Sequence, residues 1–272
     1  MRVTVCELTN DPELLELEWT RLCAHVTESE SDLVVLPEMP FSPWLAASPT
    51  KVPEEWGGGV VAHTRWIARL GELGADVVVS TRPVIEGAEN YNQGFVWTKA
   101  GGVALPVHKK RYLPDEPGFW EASWYSPGDR DFAPHDVDFV RLDSDASHDD
   151  VGSARIGFAI CTEIWFQQHA REYGKLGVQL LLCPRATLMP SVDKWIAGGR
   201  SAAVVSGAFC LSSNLAGPAT DLGDWGGAGW VVEPEEGDVL GVTSRERPFL
   251  TLEIDLGVSD TAKTTYPRYV LD

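Results

Sequence analysis

Residues 154–177 read ARIGFAICTEIWFQQHAREYGKLG. The first eight make an apolar run of strand character. From Thr162 polar residues enter at a spacing that suits a helix, which a glycine at 174 or 177 would end. A strand running into a helix is the repeating unit of an α/β layered fold. Cys161 sits at the junction, where two readings compete: a small hydrophobe filling the core, or a thiol presented at a strand's carboxyl end, where ligands gather in α/β sheets.

The same alternation extends in both directions. RVTVCEL (2–8) reads as a strand, and PELLELEWTRLCAHV (12–26) as a helix opened by Pro12, with Leu14, Leu15, Leu22 and Val26 near helical spacing. DLVVLPE (32–38) is a buried strand halted by proline, residues 54–73 read as helical after the break at Gly57–Gly59, and ADVVVSTRPV (75–84) returns as a strand. GFVWTKAGGVALPVHKK (94–110) reads as a hairpin turning at Gly101–Gly102. The loop RYLPDEPGFWEASWYSPGD (111–129) is long and rich in aromatics and prolines, a combination that points to function. Beyond the central strand, VQLLLCPRA (178–186), AFCLSSN (208–214), AGWVVEP (228–234) and FLTLEIDL (249–256) read as strands. VDKWIAGGRSAAVVSG (192–207) reads as a helix weakened by Gly198 and Gly199. The acidic segment 143–154 is expected to be a solvated turn, and the chain from Gly257 an arm for a partner subunit. No composition shift marks a linker, so residues 1–272 read as one domain.

Composition narrows the function. A formal charge of −18 repels phosphate backbones, which argues against nucleic acid as a partner, and arginines (15) outnumber lysines (7). The lack of an apolar run of eighteen residues and of a leader-like amino terminus gives the expectation of a soluble, cytoplasmic protein without a membrane partner. Cys6, Cys23, Cys161, Cys183 and Cys210 are odd in number and widely spaced, so free thiols are expected. The six histidines show no metal-ligand spacing, and nucleotide-binding glycine motifs and a serine-hydrolase elbow are missing, so neither metal nor cofactor is expected.

Three apolar runs end in chemically useful side chains: Glu38, Lys110 and Cys161. Cys161 would also stand at the amino end of a helix starting near Thr162, which favours a thiolate. A thiol attacking an unreactive carbonyl needs a base and oxyanion donors. Glu38 can serve as base, with Lys110 and the backbone N–H of Thr162 as donors. Taken singly, Glu38 also reads as a turn residue between Pro37 and Pro40, and Lys110 as one basic residue on an exposed strand end.

LVVLPEMPF, HKKRYLPDEPGFWE and GFAICTEIWF together resemble the glutamate–lysine–cysteine triad of the carbon–nitrogen hydrolase (nitrilase) superfamily, in order and spacing. KKRYLPDEPGFWEASWYSPGD and ICTEIWFQQHARE resemble the branch containing N-carbamoylputrescine amidase. The resemblance implies an α/β fold of the four-layer αββα sandwich type, a cofactor-free hydrolase working through a thioester, and a homodimer or larger assembly. It also implies that Glu121 matches a second glutamate that positions substrate or water; a salt bridge holding the aromatic loop is the competing reading. The expected substrate is a small linear amide. A carbamoyl compound, a nitrile, acyl transfer to an amine and a catalytically silent binding module are the alternatives. Trp120 and Trp165, and further Trp44, Trp124 and Trp225, are candidates for the pocket wall. Three places depart from the family pattern: Leu215 where many relatives have arginine, WGGAGWVV at 225–232, and Arg185 at a strand end. Arg185 could bind a substrate carboxylate or pair with an internal acid such as Glu163.

Overall fold

The computed structural model describes residues 1–140, 151–220 and 223–270. In chain order the elements are β1 (Arg2–Leu8), α1 (Pro12–Glu28), β2 (Leu33–Val35), α2 (Pro53–Ile67), β3 (Val77–Glu86), β4 (Glu89–Thr98), β5 (Ala104–Lys109), α3 (Glu121–Trp124), β6 (His135–Val140) and β7 (Val151–Phe158). They continue with α4 (Gln167–Lys175), β8 (Leu180–Arg185), α5 (Val192–Ser206), β9 (Phe209–Thr220), β10 (Gly223–Gly226), β11 (Trp230–Val232), β12 (Val239–Val242), β13 (Phe249–Glu253) and α6 (Leu256–Ala262).

The strands run in the order β5-β4-β3-β2-β1-β9-β8-β7-β6, with β13 on β1 and the β11–β12 ribbon and β10 on β9. β1 is the seam: residues 2–6 pair antiparallel with β13, and Glu7 and Leu8 pass to a parallel pairing with Asn214 and Leu215 of β9. Each half of the sheet system is buried on both faces, and the period-two alternation of its strands shows where. Val3 and Val5 face an inner layer that contains Val35 and Val79 from one half and Ile156, Phe158, Leu182 and Leu211 from the other. Cys6 and Leu8 face outward onto Leu15, Trp19, Leu22 and Val26 of α1. On the far side Leu181, Cys183 and Cys210 face Ala170 and Tyr173 of α4 and Ala202 and Ala203 of α5. The result is helix, sheet, sheet, helix: the αββα sandwich.

Several local expectations change. The helix after Cys161 does not begin at Thr162: Cys161–Trp165 form a short 3₁₀ turn, and α4 starts at Gln167. The Gly57–Gly59 run lies inside α2 rather than interrupting it, and Gly59 leaves the space that Leu45 fills. Gly198 and Gly199 of α5 are packing sites; a Cβ there would lie 2.9 Å from Trp165 and 2.7 Å from Trp230. The carboxyl-terminal segment makes contacts with its own chain: Ser259 donates to the Gly207 carbonyl, and Arg268 to the carbonyls of Ala262 and Val204. Of the acidic segment, 143–150 lie outside the described residues and the remainder belongs to β7. Among the described residues no helix is long and apolar enough to cross a membrane.

Candidate active site

The parallel strands β2, β7 and β8 send their carboxyl ends to one place. Just past β2 is Glu38, past β7 is Cys161, and one residue past β5 is Lys110. Glu38 and Lys110 are wholly buried and Cys161 is 4% exposed. Lys110 Nζ lies 2.8 Å from Glu38 Oε1 and 2.6 Å from Glu121 Oε2. Sequence separation of 72 residues between Glu38 and Lys110 is closed by the pairing of β3, β4 and β5.

The backbone holds these groups under strain. Cys161 has φ +48° and Met39, next to Glu38, φ +41°, a left-handed region that costs non-glycine residues energy and is kept where surroundings impose it. Met39 N–H donates to Thr81 Oγ1 and Glu38 N–H to the Arg185 carbonyl. Lys110 is pinned through its N–H to Asn92 O and its carbonyl to Gly128 N–H. Gly128 is required there, because a Cβ would sit 2.1 Å from the Lys109 carbonyl oxygen.

Charge at the site follows from burial and count. One ammonium faces two carboxylates. Burial pushes the Glu121 carboxyl up to about 7, with Lys110 acting against that shift and Glu38 adding to it. Burial pulls on Lys110 in the opposite sense, but the charges of Glu121 and Glu38 outweigh it and hold the ammonium protonated. Burial, followed by the negative charge of Glu38, raises the Cys161 thiol above its ordinary range; Lys110 and a backbone hydrogen bond from Ala186 work against this without overcoming it. The expectation of a resting thiolate is therefore corrected. The five-residue 3₁₀ turn supplies too little dipole to offset desolvation.

Glu38 uses one oxygen for structure: Oε1 accepts from Asn92 Nδ2 at 2.7 Å and from Lys110. Its other oxygen, Oε2, is buried without a hydrogen-bond partner among the described residues. Glu121 receives the Tyr125 hydroxyl as well as Lys110. Glu121 and Cys161 line a cavity of about 290 Å³, together with Thr162, Ala186, Thr187, Phe119 and Trp195. It opens beside a wider depression of about 690 Å³ that includes Tyr112, Trp165 and Phe166. Among the described residues no three histidine, cysteine or acidic side chains are grouped to hold a metal ion.

The remaining candidates divide. Thr162 lines the inner cavity beside Cys161, and Trp165 lines the outer depression. Trp120 lines neither; it packs against the cluster of Trp44, Trp56, Trp124 and Trp225 that backs the aromatic loop. Arg185 requires correction. Its guanidinium is fully buried and donates to Ser212 Oγ, Thr187 Oγ1 and the Ala228 carbonyl, with its face 3.9 Å from the Trp230 ring centroid. Burial pulls its pKa down to about 10. It braces the cavity wall from behind and reaches neither the cavity nor Glu163.

Glu163 is instead the hub of a second buried cluster. Its carboxylate accepts from Ile160 N–H at 2.8 Å, Arg111 N–H at 2.6 Å and His108 Nε2 at 2.9 Å. Ile160 precedes Cys161 and Arg111 follows Lys110, so one side chain ties the two strand ends together. His108 is thereby committed to Glu163. Burial lowers its pKa, but the Glu163 charge and hydrogen bond overcome that and raise it. Asn92, in the polar stretch ENYNQ, carried no sequence signal, and Glu163 entered the sequence reading only as a possible partner of Arg185.

The carbon–nitrogen hydrolase family model matches residues 3–264. The chain belongs to the carbon–nitrogen hydrolase family. Among its relatives, nitrilase homolog 2 of Dictyostelium discoideum is 25% identical over 257 residues, covering 90% of this chain and 72% of that protein. N-carbamoylputrescine amidase of Solanum tuberosum is 32% identical over 117 residues, 42% of this chain and 33% of that protein. The chain therefore matches only about a third of that amidase. A carbon–nitrogen hydrolase from Helicobacter pylori G27 superposes with a TM-score of 0.79 at 21% identity, over 98% of this chain and 94% of that one. The NitN amidase of strain AN1 gives 0.71 at 22% identity over 95% and 94%. At these identities the superpositions establish the hydrolase fold, and the family membership establishes the general chemistry, cleavage of amide-type C–N bonds.

Proposed function

We propose that this hydrolase cleaves a small linear primary amide through a thioester on Cys161. The observation that carries the reading is Glu38 Oε2, a buried acceptor without a partner among the described residues, near a thiol that burial keeps protonated. Such a thiol must lose its proton as it attacks, and Glu38 is the base at hand.

As Sγ bonds to the amide carbon, its proton passes to Glu38 and the carbonyl electron pair moves onto oxygen, facing the Lys110 ammonium and the Thr162 N–H. Collapse of this adduct reforms the carbonyl and breaks the C–N bond. The nitrogen takes the proton back from Glu38 and leaves as ammonia. Water then gives a proton to Glu38 while its oxygen attacks the thioester; the second collapse breaks C–S, the sulfur recovers the proton, and the carboxylic acid departs. Glu121 contributes through charge. Its carboxyl, pushed up to about 7 by burial, competes with Glu38 for the single Lys110 ammonium, so a proton taken up by Glu121 leaves that ammonium to Glu38.

Similarity to N-carbamoylputrescine amidases over the segment shared with them favours a second reading, hydrolysis of a carbamoyl-amine with release of carbon dioxide as well as ammonia. A panel of amides, ureido compounds and nitriles assayed for both gases, with intact-protein mass spectrometry of the quenched enzyme, tests the two together. Wild-type protein should show a substrate-dependent acyl adduct at Cys161, and Cys161→Ala should release no ammonia. Turnover by Cys161→Ala would sink the mechanism.

A further inference from the structure

Two charged side chains at the cavity have no role in the chemistry above. Lys194 lines both the inner cavity with Cys161 and the outer depression, and so does Glu116. They arrive from different elements: Lys194 from the first turn of α5, Glu116 from the aromatic loop, in a tight turn where its own backbone exchanges hydrogen bonds with Phe119. Both side chains are exposed. Among the described residues neither forms an ion pair, with each other or with any other group, although the chain carries forty acidic residues against twenty-two basic ones.

The place of Lys194 is unfavourable for the free protein. A cation in the first turn of a helix opposes the positive end of the helix dipole. Its ammonium rests 5.6 Å from the Trp165 ring centroid, a weak contact at an exposed site. Ser191, Lys194 and Trp195 stand at helical neighbour spacing and all face the cavity, so the start of α5 presents one anion-favouring face to it. Glu116 offers the opposite charge from the loop. A cavity of about 290 Å³ is at the small end for a ligand site, so a substrate amide at Cys161 brings its far end to these two charges.

Resting on the amidase reading above, we propose that the site selects a zwitterion: an α-amino acid whose side chain ends in the scissile amide or ureido group, with Lys194 taking the carboxylate and Glu116 the ammonium. The pair acts as a sorting device. An amide lacking one ionic group leaves one rim charge unanswered, and an amide lacking both gains nothing from either.

Four matched primary amides test this: glutamine, its decarboxylated form 4-aminobutanamide, its deaminated form 5-amino-5-oxopentanoate, and butanamide. Wild-type kcat/KM should be highest for glutamine, by about tenfold over each singly charged compound, the scale of one charge-assisted contact of about 1.4 kcal/mol. Lys194→Met should erase the advantage of compounds bearing the carboxylate, and Glu116→Gln that of compounds bearing the amine, each seen mainly in KM. Both side chains are exposed, so circular dichroism and melting temperature should match wild type. A wild-type preference for butanamide or for either singly charged amide, or equal losses on all four substrates in both variants, overturns the proposal. Binding of the same four compounds to Cys161→Ala by titration calorimetry ranks them independently of turnover. Selective binding of glutamine without any ammonia release would sink the amidase reading and leave the recognition intact, whereas ammonia release without charge selectivity would do the reverse.

Discussion

Glu163→Gln is the substitution whose consequence follows most directly from the geometry. The carboxylate accepts from two backbone N–H groups, at 2.8 Å from Ile160 and 2.6 Å from Arg111, and from His108 at 2.9 Å. Glutamine keeps one acceptor oxygen and turns an NH₂ toward the other partners. At least one buried backbone N–H then faces a donor and loses its bond, at about 1–3 kcal/mol. The contact with His108 falls from charge-assisted to neutral, removing roughly 1 kcal/mol more. The sum, about 2–4 kcal/mol, is a large fraction of the 5–15 kcal/mol typical of a folded domain. Urea denaturation of wild type and variant at pH 7 should show that loss as a lowered midpoint with an unchanged m-value. Because Glu163 joins the residue before Cys161 to the residue after Lys110, the same change should displace the strand ends and lower kcat by about 10- to 100-fold. A loss below about 1 kcal/mol with kcat preserved would refute the claim that this side chain couples the two strand ends.

The pH dependence of the same cluster has a defined sign. The folded His108 pKa lies above the ordinary value of 6.5, so its stabilising contribution is complete below that pH and is lost as pH rises through the higher folded value. The difference in unfolding free energy between wild type and His108→Gln should therefore shrink between pH 6 and pH 9; a gap that stays level or widens would contradict the pairing. Arg185→Leu removes the donor to Ser212 Oγ and to the Ala228 carbonyl, and one of the two donors to Thr187 Oγ1, and should cost about 1–3 kcal/mol of stability. It should change kcat/KM by the same factor for acidic, neutral and basic amides, and a loss confined to acidic amides would mean the guanidinium does reach the substrate.

Much of this protein was legible in the chain alone. Period-two apolar runs such as RVTVCEL, against the 3.6-period pattern of residues 12–26, dictate which segments are strands and which are helices. Glu38, Lys110 and Cys161 could be singled out because each ends an apolar run, Glu38 and Cys161 beyond the carboxyl ends of parallel strands and Lys110 beyond an antiparallel edge strand. Those are local properties, carried by residue type and near neighbours.

What the chain could not show depends on which side chains meet. The start of α4 moved from Thr162 to Gln167, because the strain at Cys161 and the hold of Glu163 on Ile160 keep the junction in a 3₁₀ turn. Arg185 reads as a free cation at a strand end until β9 and the loop before β11 close around it. The protonation of Cys161 inverted for a similar reason: sequence places it at a favourable helix start, while burial to 4% exposure raises its pKa. Helix and strand formation is fixed by short-range sterics and periodic burial. Charge state and hydrogen-bond partnership depend on solvent exclusion and on distances between strand ends up to 123 residues apart, and those exist only once the two halves of the sheet have packed.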